Sequence, residues 1–132
     1  MTGNALSPRT YGDQIVDWLV AEGYSHCFFL AGGNIMDLLD SVRQRLTCVP
    51  VVHEVAAGIA AEYFNAVRAP GEGRAFALVT AGPGVTNILT AIAGAFQESR
   101  ELLVLGGQVK REDLSSPGMR QRGIQEIDGV AL

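Results

Sequence analysis

The first part of the chain alternates apolar and polar residues with a helical period. Thr10 and Asp13 have the spacing of a capping box, in which each side chain bonds the other residue's backbone amide. Apolar residues then recur every three or four positions, at Tyr11, Ile15, Trp18 and Leu19. Gly23 is typical of the residue that follows a helix end. The pattern predicts a helix between Thr10 and Gly23.

Four short apolar runs without period-two alternation follow, as expected for strands buried on both faces. They cover residues 27–30, 49–52, 75–80 and 102–105. Helical patterns separate them: one begins after residue 34, one covers 54–67 and one covers about 85–99. This order predicts an α/β fold of three layers, a mostly parallel sheet with helices on both faces.

Local signals refine the prediction. Pro50 has no backbone N–H, so we expect pairing of the second strand to begin only after it. Asn34 has a side chain suited to cap the next helix. The polar segment 110–123 predicts a surface loop, and a plain connection and a functional lid are equally open. Ile124 begins a further helical pattern.

Ligands of parallel α/β sheets bind at the carboxyl ends of the strands. Three of the four predicted ends are loops of small residues, at 31–33 (Ala-Gly-Gly), 81–84 (Ala-Gly-Pro-Gly) and 106–108 (Gly-Gly-Gln). The fourth end carries His53 and Glu54. We therefore expect the functional site at this edge of the sheet.

Size and composition indicate one soluble domain. The chain has 132 residues, of which 48% are hydrophobic and 18% charged, so it is able to bury a core. We find neither an apolar run of about 18 residues nor a secretory signal, and therefore expect a cytoplasmic protein without a membrane partner. A net charge of −4 without a basic cluster speaks against nucleic acid as a partner.

The cysteines and histidines do not indicate a metal site. Cys27 and Cys48 are 21 residues apart and form no C-x-x-C motif, so we expect buried free thiols. His26 and His53 have no ligand spacing with them. We expect no metal bound by this chain.

Glu54 is unusual in its setting, because it follows a buried strand and opens an alanine-rich helix. One interpretation is a carboxylate that only complements the helix dipole. The other is a carboxylate directed into the cleft at the strand ends. Position alone favours the first interpretation.

Two further features leave alternatives open. Residues 82–87 (GPGVTN) resemble a dinucleotide fingerprint weakly, but Pro83 removes an N–H that a phosphate would need, so a tight turn beside a flat ligand fits better. The small residues Ala57, Gly58, Ala60 and Ala61 make one side of a helix slim. They serve either close packing on the sheet or the approach of a second subunit.

Five segments in order resemble the N-terminal, pyrimidine-binding domain of thiamine-diphosphate-dependent enzymes of the acetolactate synthase type. They are residues 23–42, 52–61 (VHEVAAGIAA), 78–87 (LVTAGPGVTN), 105–109 (LGGQV) and 125–128 (QEID). The resemblance covers residues 10–132, with 1–9 as a flexible N-terminus. It implies a flavodoxin-like fold that is incomplete at its C-terminal end.

The resemblance implies the roles of the site residues. In that family the glutamate after Val-x-His contacts N1′ of the aminopyrimidine ring and activates the cofactor, and the match is Glu54. Gln125 matches a glutamine near the reacting centre, so it is the second candidate catalytic residue. The remaining candidates line or flank the pyrimidine: Gly32, Gly33, Gly82, Pro83, Gly84, Asn87 and Gln108.

Some positions depart from the family pattern. Ala31 replaces a proline, and Ile124 replaces a phenylalanine that often precedes the glutamine, which leaves the substrate open. Residues 62–65 (EYFN) replace Gly-Tyr-Ala-Arg, so we expect different packing or subunit contacts there.

In the family, a separate domain with a Gly-Asp-Gly … Asn motif binds the diphosphate and Mg²⁺, and this sequence has no such motif. The resemblance therefore implies a diphosphate-binding domain or subunit as partner. We expect a fragment of a longer protein, with a split-enzyme subunit or a degraded gene product as the other possibilities.

The resemblance also implies a homo-oligomer and a 2-keto acid substrate such as pyruvate, with transferase or lyase chemistry. Any FAD would bind mainly to a middle domain. A second hypothesis is a non-catalytic module that keeps the flavodoxin-like fold and an association surface only.

Overall fold

The structure, a computed structural model, describes residues 8–116, 118–119 and 121–129. Within these residues four helices alternate with four strands. The helices are α1 (Tyr11–Ala21), α2 (Met36–Arg43), α3 (Glu54–Val67) and α4 (Pro83–Gln97). The strands are β1 (Tyr24–Phe29), β2 (Thr47–Pro50), β3 (Arg74–Val79) and β4 (Val104–Gly106). Short 3₁₀ turns cover Gly33–Ile35 and Arg111–Asp113.

The strands form one sheet in the order β2-β1-β3-β4, and all three pairs are parallel. The sheet confirms the predicted α/β class. Between consecutive strands a helical crossover returns the chain to the same end of the sheet, so all four strands run in one direction. The carboxyl ends of the strands therefore lie together at one edge. That edge holds the small-residue loops identified in the sequence.

Side chains of β3 alternate between two separate cores. Phe76 and Leu78 are fully buried against α1 and α2, in a core that also contains Val16 and Val42. On the opposite face, small residues of β3 pack against small residues of α3 and α4. These are Ala75, Ala77 and Val79 from the strand, with Ala57, Ala61, Ile88 and Ala91 from the helices. Helices thus cover both faces of the sheet, as the sequence predicts.

The first helix begins and ends where the sequence predicts. The Thr10 hydroxyl accepts from the Asp13 amide at 3.1 Å, and the Asp13 carboxylate accepts from the Thr10 amide at 2.8 Å. These bonds hold the pKa of Asp13 below its ordinary value. Gly23, with φ 83°, follows the helix end in the left-handed region.

The prediction for the second strand is wrong in its position. Pairing runs from Thr47 to Pro50 and ends at the proline, rather than beginning after it. The amide of Val51 bonds the carbonyl oxygen of Phe29 at 2.9 Å, so the neighbouring Pro50 nitrogen points to the open edge. Because β2 is an edge strand, the missing N–H costs no ladder bond.

Two helix predictions are also wrong. Asn34 caps no helix: it lies within the 3₁₀ turn that precedes α2, and its amide donates to the carbonyl oxygen of Gln108 at 3.4 Å. Residues 124–129 form turns instead of a helix. Gln125 has φ 60°, which a helix excludes, and the Glu126 carboxylate bonds nearby backbone amides instead.

Asn65, in the segment that departs from the family pattern, completes the sheet at the beginning of β3. Its side-chain amide donates to the carbonyl oxygen of Ala75 at 2.9 Å and accepts from the Ala75 amide at 2.7 Å. The ladder between β3 and β4 pairs Ala77 with Val104 and continues from there. The side chain of Asn65 therefore occupies the place of a strand residue.

The two cysteines are neighbours on adjacent strands. Cys27 on β1 pairs in register with Cys48 on β2, and both thiols are free. Cys27 is buried, as predicted, and Cys48 is half-buried. Burial raises the pKa of both thiols. Residues 1–7 of the predicted flexible N-terminus lie outside the described residues.

Candidate functional site

Glu54 is a buried carboxylate at the beginning of α3. Its side chain is 6% exposed, in a first turn that contains no other acidic residue. His53, at the N-cap position, accepts from the Val55 amide through Nδ1 at 3.2 Å, which satisfies one of the unpaired amides of this helix end. The His53 side chain thus stabilises the helix start that places Glu54 at the edge of the sheet.

A second helix holds the Glu54 carboxylate. The exposed residue Asn87, on α4, donates from Nδ2 to Oε2 of Glu54 at 2.9 Å. The other oxygen, Oε1, lies 3.7 Å from the position that a Cβ on Gly84 would take. The structure therefore brings together three predicted site residues, Glu54, Gly84 and Asn87, between the beginnings of α3 and α4.

Thr80, immediately after β3, joins this group to the loop after β1. A Cβ on Gly84 would lie 3.0 Å from Cγ2 of Thr80, and a Cβ on Gly32 would lie 2.6 Å from its Oγ1. Side chains at positions 32 and 84 would therefore collide with Thr80 or crowd it. The absence of side chains at Gly32 and Gly84 thus lets Thr80 pack closely between them, next to Glu54.

Gln125 lies against the turn before α4, not among the residues that contact Glu54. Gly82 has φ 61° and ψ −115°, and a Cβ on it would lie 2.1 Å from the carbonyl oxygen of Gln125. Both residues have positive φ. This conformation is strained at Gln125 and is easily adopted at Gly82, because glycine has no Cβ. Glycine is thus needed at position 82 for two reasons: its positive φ and the close contact with the carbonyl oxygen of Gln125.

Next to Gln125, the Glu126 side chain bonds several backbone groups. The Glu126 carboxylate accepts from the amides of Ser115, Arg122 and Gly123 and from the Ser115 hydroxyl, over 2.5–3.1 Å. These donors, the Ser115 amide foremost, lower the pKa of Glu126 to about 2. A charge-assisted network therefore joins Ser115, Arg122 and Gly123 to Glu126, next to Gln125 on the Gly82 turn.

The remaining predicted site residues have other surroundings. Gly33 begins the 3₁₀ turn with open space beside it, and Pro83 is an exposed residue in the first turn of α4. Gln108 donates through Nε2 to the carbonyl oxygen of Ile127 at 3.0 Å and accepts from the Val109 amide at 2.8 Å. Gln108 thus ties the end of β4 to residues 123–129.

A cleft of about 1140 Å³ lies on the β4 side of α4. Gly82, Gln108 and Glu126 line it, and Glu54 does not. The Glu126 carboxylate in that cleft is engaged by backbone donors, whereas the Glu54 carboxylate accepts a single hydrogen bond among the described residues, from Asn87.

Other kinds of site find no support in the described part of the chain. Its histidine, cysteine and acidic side chains form no group of three that would hold a metal ion. Its helices are too short or too polar to cross a membrane. Thr80 and His53 contribute to the site without having been identified from the sequence. A polar residue directly after an apolar strand was the available signal for Thr80.

The arrangement matches a known protein family. Residues 9–132 match the family model of the thiamine pyrophosphate enzyme, N-terminal TPP binding domain. The chain belongs to this family. The match covers every strand and helix of the structure, including the helix beginnings that hold Glu54, Gly84 and Asn87.

This N-terminal TPP-binding domain is similar to acetolactate synthases. It is 37% identical over 123 residues to the acetolactate synthase large subunit IlvG of Mycobacterium tuberculosis, covering 90% of this chain and 20% of the relative. It is 32% identical over 127 residues to the mitochondrial acetolactate synthase of Schizosaccharomyces pombe, covering 94% and 18%. Over 99 residues it is 38% identical to the acetolactate synthase isozyme 3 large subunit of Escherichia coli, covering 74% and 17%. The chain thus spans about a fifth of the length of these relatives.

The residues of the domain fit the aminopyrimidine half of thiamine diphosphate. A flat heteroaromatic ring needs a narrow space and polar groups at its edge. The buried carboxylate of Glu54 and the amide of Asn87 are such polar groups, and Gly84 places no side chain beside Oε1 of Glu54. An unbonded buried hydroxyl, that of Thr80, is also present.

Proposed function

We propose that the chain is the aminopyrimidine-binding half of the active site of an acetolactate-synthase-like enzyme that decarboxylates or condenses 2-keto acids such as pyruvate. The observation that carries the proposal is the buried Glu54 carboxylate, held by Asn87 beside Gly84. When bound, thiamine diphosphate supplies the electron sink for such reactions.

Glu54 holds and moves a proton in this proposal. Its Oε2 is occupied by the Asn87 amide, which fixes the carboxyl group and leaves Oε1 on the side of Gly84. An oxygen placed there is able to share a proton with a ring nitrogen at N1′. A general acid–base group positioned in this way contributes on the order of 10²–10⁴-fold to a reaction rate.

We propose that the diphosphate and Mg²⁺ bind to a further domain or subunit, and that the working enzyme is an oligomer in the cytoplasm. The acidic side chains of the chain support the proposal that Mg²⁺ binds elsewhere. Glu54 is bonded to Asn87 and Glu126 to backbone amides, so neither carboxylate is part of a cation-binding cluster among the described residues. Gln125, which lies on the Gly82 turn, is proposed as a residue near the substrate.

Binding of thiamine diphosphate to the purified chain tests the proposal. We expect ligand-observed NMR at millimolar cofactor to show contact with the pyrimidine protons. Glu54→Gln removes the shared proton and should weaken binding by about tenfold or more, since a hydrogen bond to a charged group contributes about 1.5–3 kcal/mol. Glu112→Gln, at an exposed glutamate of the Arg111–Asp113 turn, is the matched control.

Equal affinity of the wild-type and Glu54→Gln chains would remove Glu54 from the site. A wild-type chain that binds no cofactor under these conditions would favour the alternative, a module that keeps the fold without the chemistry.

A further inference from the structure

The hydroxyl of Thr80 is buried without a hydrogen-bond partner among the described residues. Such groups are uncommon in folded proteins, because a buried hydroxyl without a partner loses its bonds to water and costs about 1–3 kcal/mol. A strand-end position next to an apolar core tolerates valine, which has the same shape and avoids this cost. The unbonded hydroxyl therefore calls for a partner that the described residues do not supply.

Thr80 lies where such a partner would bind. It follows Val79, the last residue of β3, at the edge that holds the ends of the strands. Its Oγ1 is on the side of Gly32 and its Cγ2 on the side of Gly84, which separates it from Oε1 of Glu54. Thr80 thus lies between Gly32 and Gly84, and Gly84 neighbours the Glu54 carboxylate.

The neighbouring polar groups of the site are already bonded. Asn87 donates to Glu54, and His53 accepts from the Val55 amide. A hydroxyl is able both to donate and to accept, so it suits the edge of an aminopyrimidine, which carries ring nitrogens and an amino group. A 120° rotation about χ1 moves Oγ1 to the position that Cγ2 now holds, and Cγ2 to that of Hβ; threonine occupies more than one staggered rotamer.

We infer that Thr80 is a binding residue for the aminopyrimidine ring, and that its hydroxyl forms with the bound ring the hydrogen bond that it does not form within the chain. The inference rests on the proposed function and adds a second polar contact to that of Glu54. It predicts opposite effects of one substitution on folding and on binding.

Thr80→Val and Thr80→Ser, compared with the wild-type chain, separate these effects. Thr80→Val removes the unbonded hydroxyl but keeps the shape, so the melting temperature without ligand should equal that of the wild type or exceed it by up to about 5 °C. Its affinity for thiamine diphosphate, measured by ligand-observed NMR, should fall about three- to tenfold, as expected for one neutral hydrogen bond. Thr80→Ser keeps the hydroxyl and should bind within about twofold of the wild type.

Each other result overturns the inference. If Thr80→Val binds as tightly as the wild type while Glu54→Gln does not, the proposed function stands and the role of Thr80 falls. If Thr80→Val lowers the melting temperature or prevents folding, the hydroxyl serves the fold. If the wild-type chain binds no cofactor, the proposed function and the inference fall together.

Discussion

The side-chain amide of Asn87 holds Oε2 of Glu54 at 2.9 Å across the gap between the beginnings of α3 and α4. The contact joins two residues that are 33 positions apart in sequence. Since Glu54 is buried, its carboxylate depends on this donor for part of its stabilisation. The same hydrogen bond thus stabilises the contact between α3 and α4 and fixes the position of the Glu54 carboxylate.

Replacing Asn87 by aspartate should make stability strongly dependent on pH. Asn87→Asp has nearly the same shape but places a second carboxylate against Glu54, so the free energy of unfolding at pH 7 should fall by about 1–3 kcal/mol. The loss should shrink as the pH is lowered, because the introduced aspartate, repelled by the neighbouring carboxylate, takes up a proton more readily than an isolated one. Urea unfolding at neutral and at lower pH measures this. Gln97→Glu, an added charge at an exposed position of α4, should show no comparable pH dependence.

Gly58 sets the distance between α3 and α4. A Cβ on this residue would lie 2.4 Å from Cβ of Ala91, so Gly58→Ala should lower the free energy of unfolding by about 1–3 kcal/mol despite its better helix propensity. Ala91→Gly in the same chain should restore much of the loss, which a double-mutant cycle would show. Gly94→Ala, at a helical glycine with open space beside it, should be neutral or stabilise by up to about 1 kcal/mol.

The amide of Asn65 pairs with both backbone groups of Ala75. Asn65→Ala leaves a partly buried N–H and C=O without this partner, so we expect the free energy of unfolding to fall by about 2–3 kcal/mol. Asn34→Ala, which removes one exposed 3.4 Å bond, should change it by less than about 0.5 kcal/mol. Equal effects of the two substitutions in chemical denaturation would contradict the role assigned to Asn65.

Glu126 should make the local order at Ser115, Arg122 and Gly123 sensitive to acid. Its pKa in the folded chain is lowered to about 2 from an ordinary value of 4.5, so the carboxylate's contribution is complete above about pH 4.5 and is lost as the pH falls toward 2. We expect the amides of Ser115, Arg122 and Gly123 to exchange their hydrogens faster, relative to the intrinsic rate, at pH 3 than at pH 6. In Glu126→Gln they should be poorly protected at both pH values, and unchanged protection in that variant would refute the network's role.

Catalysis should need more than this chain. We expect the purified chain to show no decarboxylation of pyruvate with thiamine diphosphate and Mg²⁺, and measurable turnover would contradict the proposed division of the site. In an enzyme that joins this domain to a diphosphate-binding domain, Glu54→Gln should slow proton exchange at C2 of the cofactor by about 100-fold or more. Proton NMR in D₂O measures that exchange directly.

Much of the fold was predictable because it depends on local pattern. Apolar runs without alternation predict a buried parallel sheet, and the capping box of Thr10 and Asp13 is a local signal that the structure confirms. The errors have tertiary causes. Pro50 ends its strand because β2 is an edge, and the helix predicted from Ile124 gives way to bonds between Glu126 and a segment about ten residues earlier.

The candidate site was predicted only in part. The family resemblance identified Glu54, Gly84 and Asn87, which the structure brings together. Thr80 was missed because the missing partner of its hydroxyl becomes visible only when the surrounding atoms are in place. Asn65 was noticed only as a departure from the family, since its pairing with Ala75 depends on where β4 begins.

The alternation of large and small side chains along β3 has a consequence for protein engineering. Phe76 and Leu78 face one core, while Ala75 and Ala77 face the core that supports α3 and α4. The sheet therefore works as a partition: the core beneath α1 and α2 is open to redesign for stability, because its packing does not touch the helix that carries Glu54. The alanine side has no such freedom, since an added methyl group there pushes on the helices that form the site.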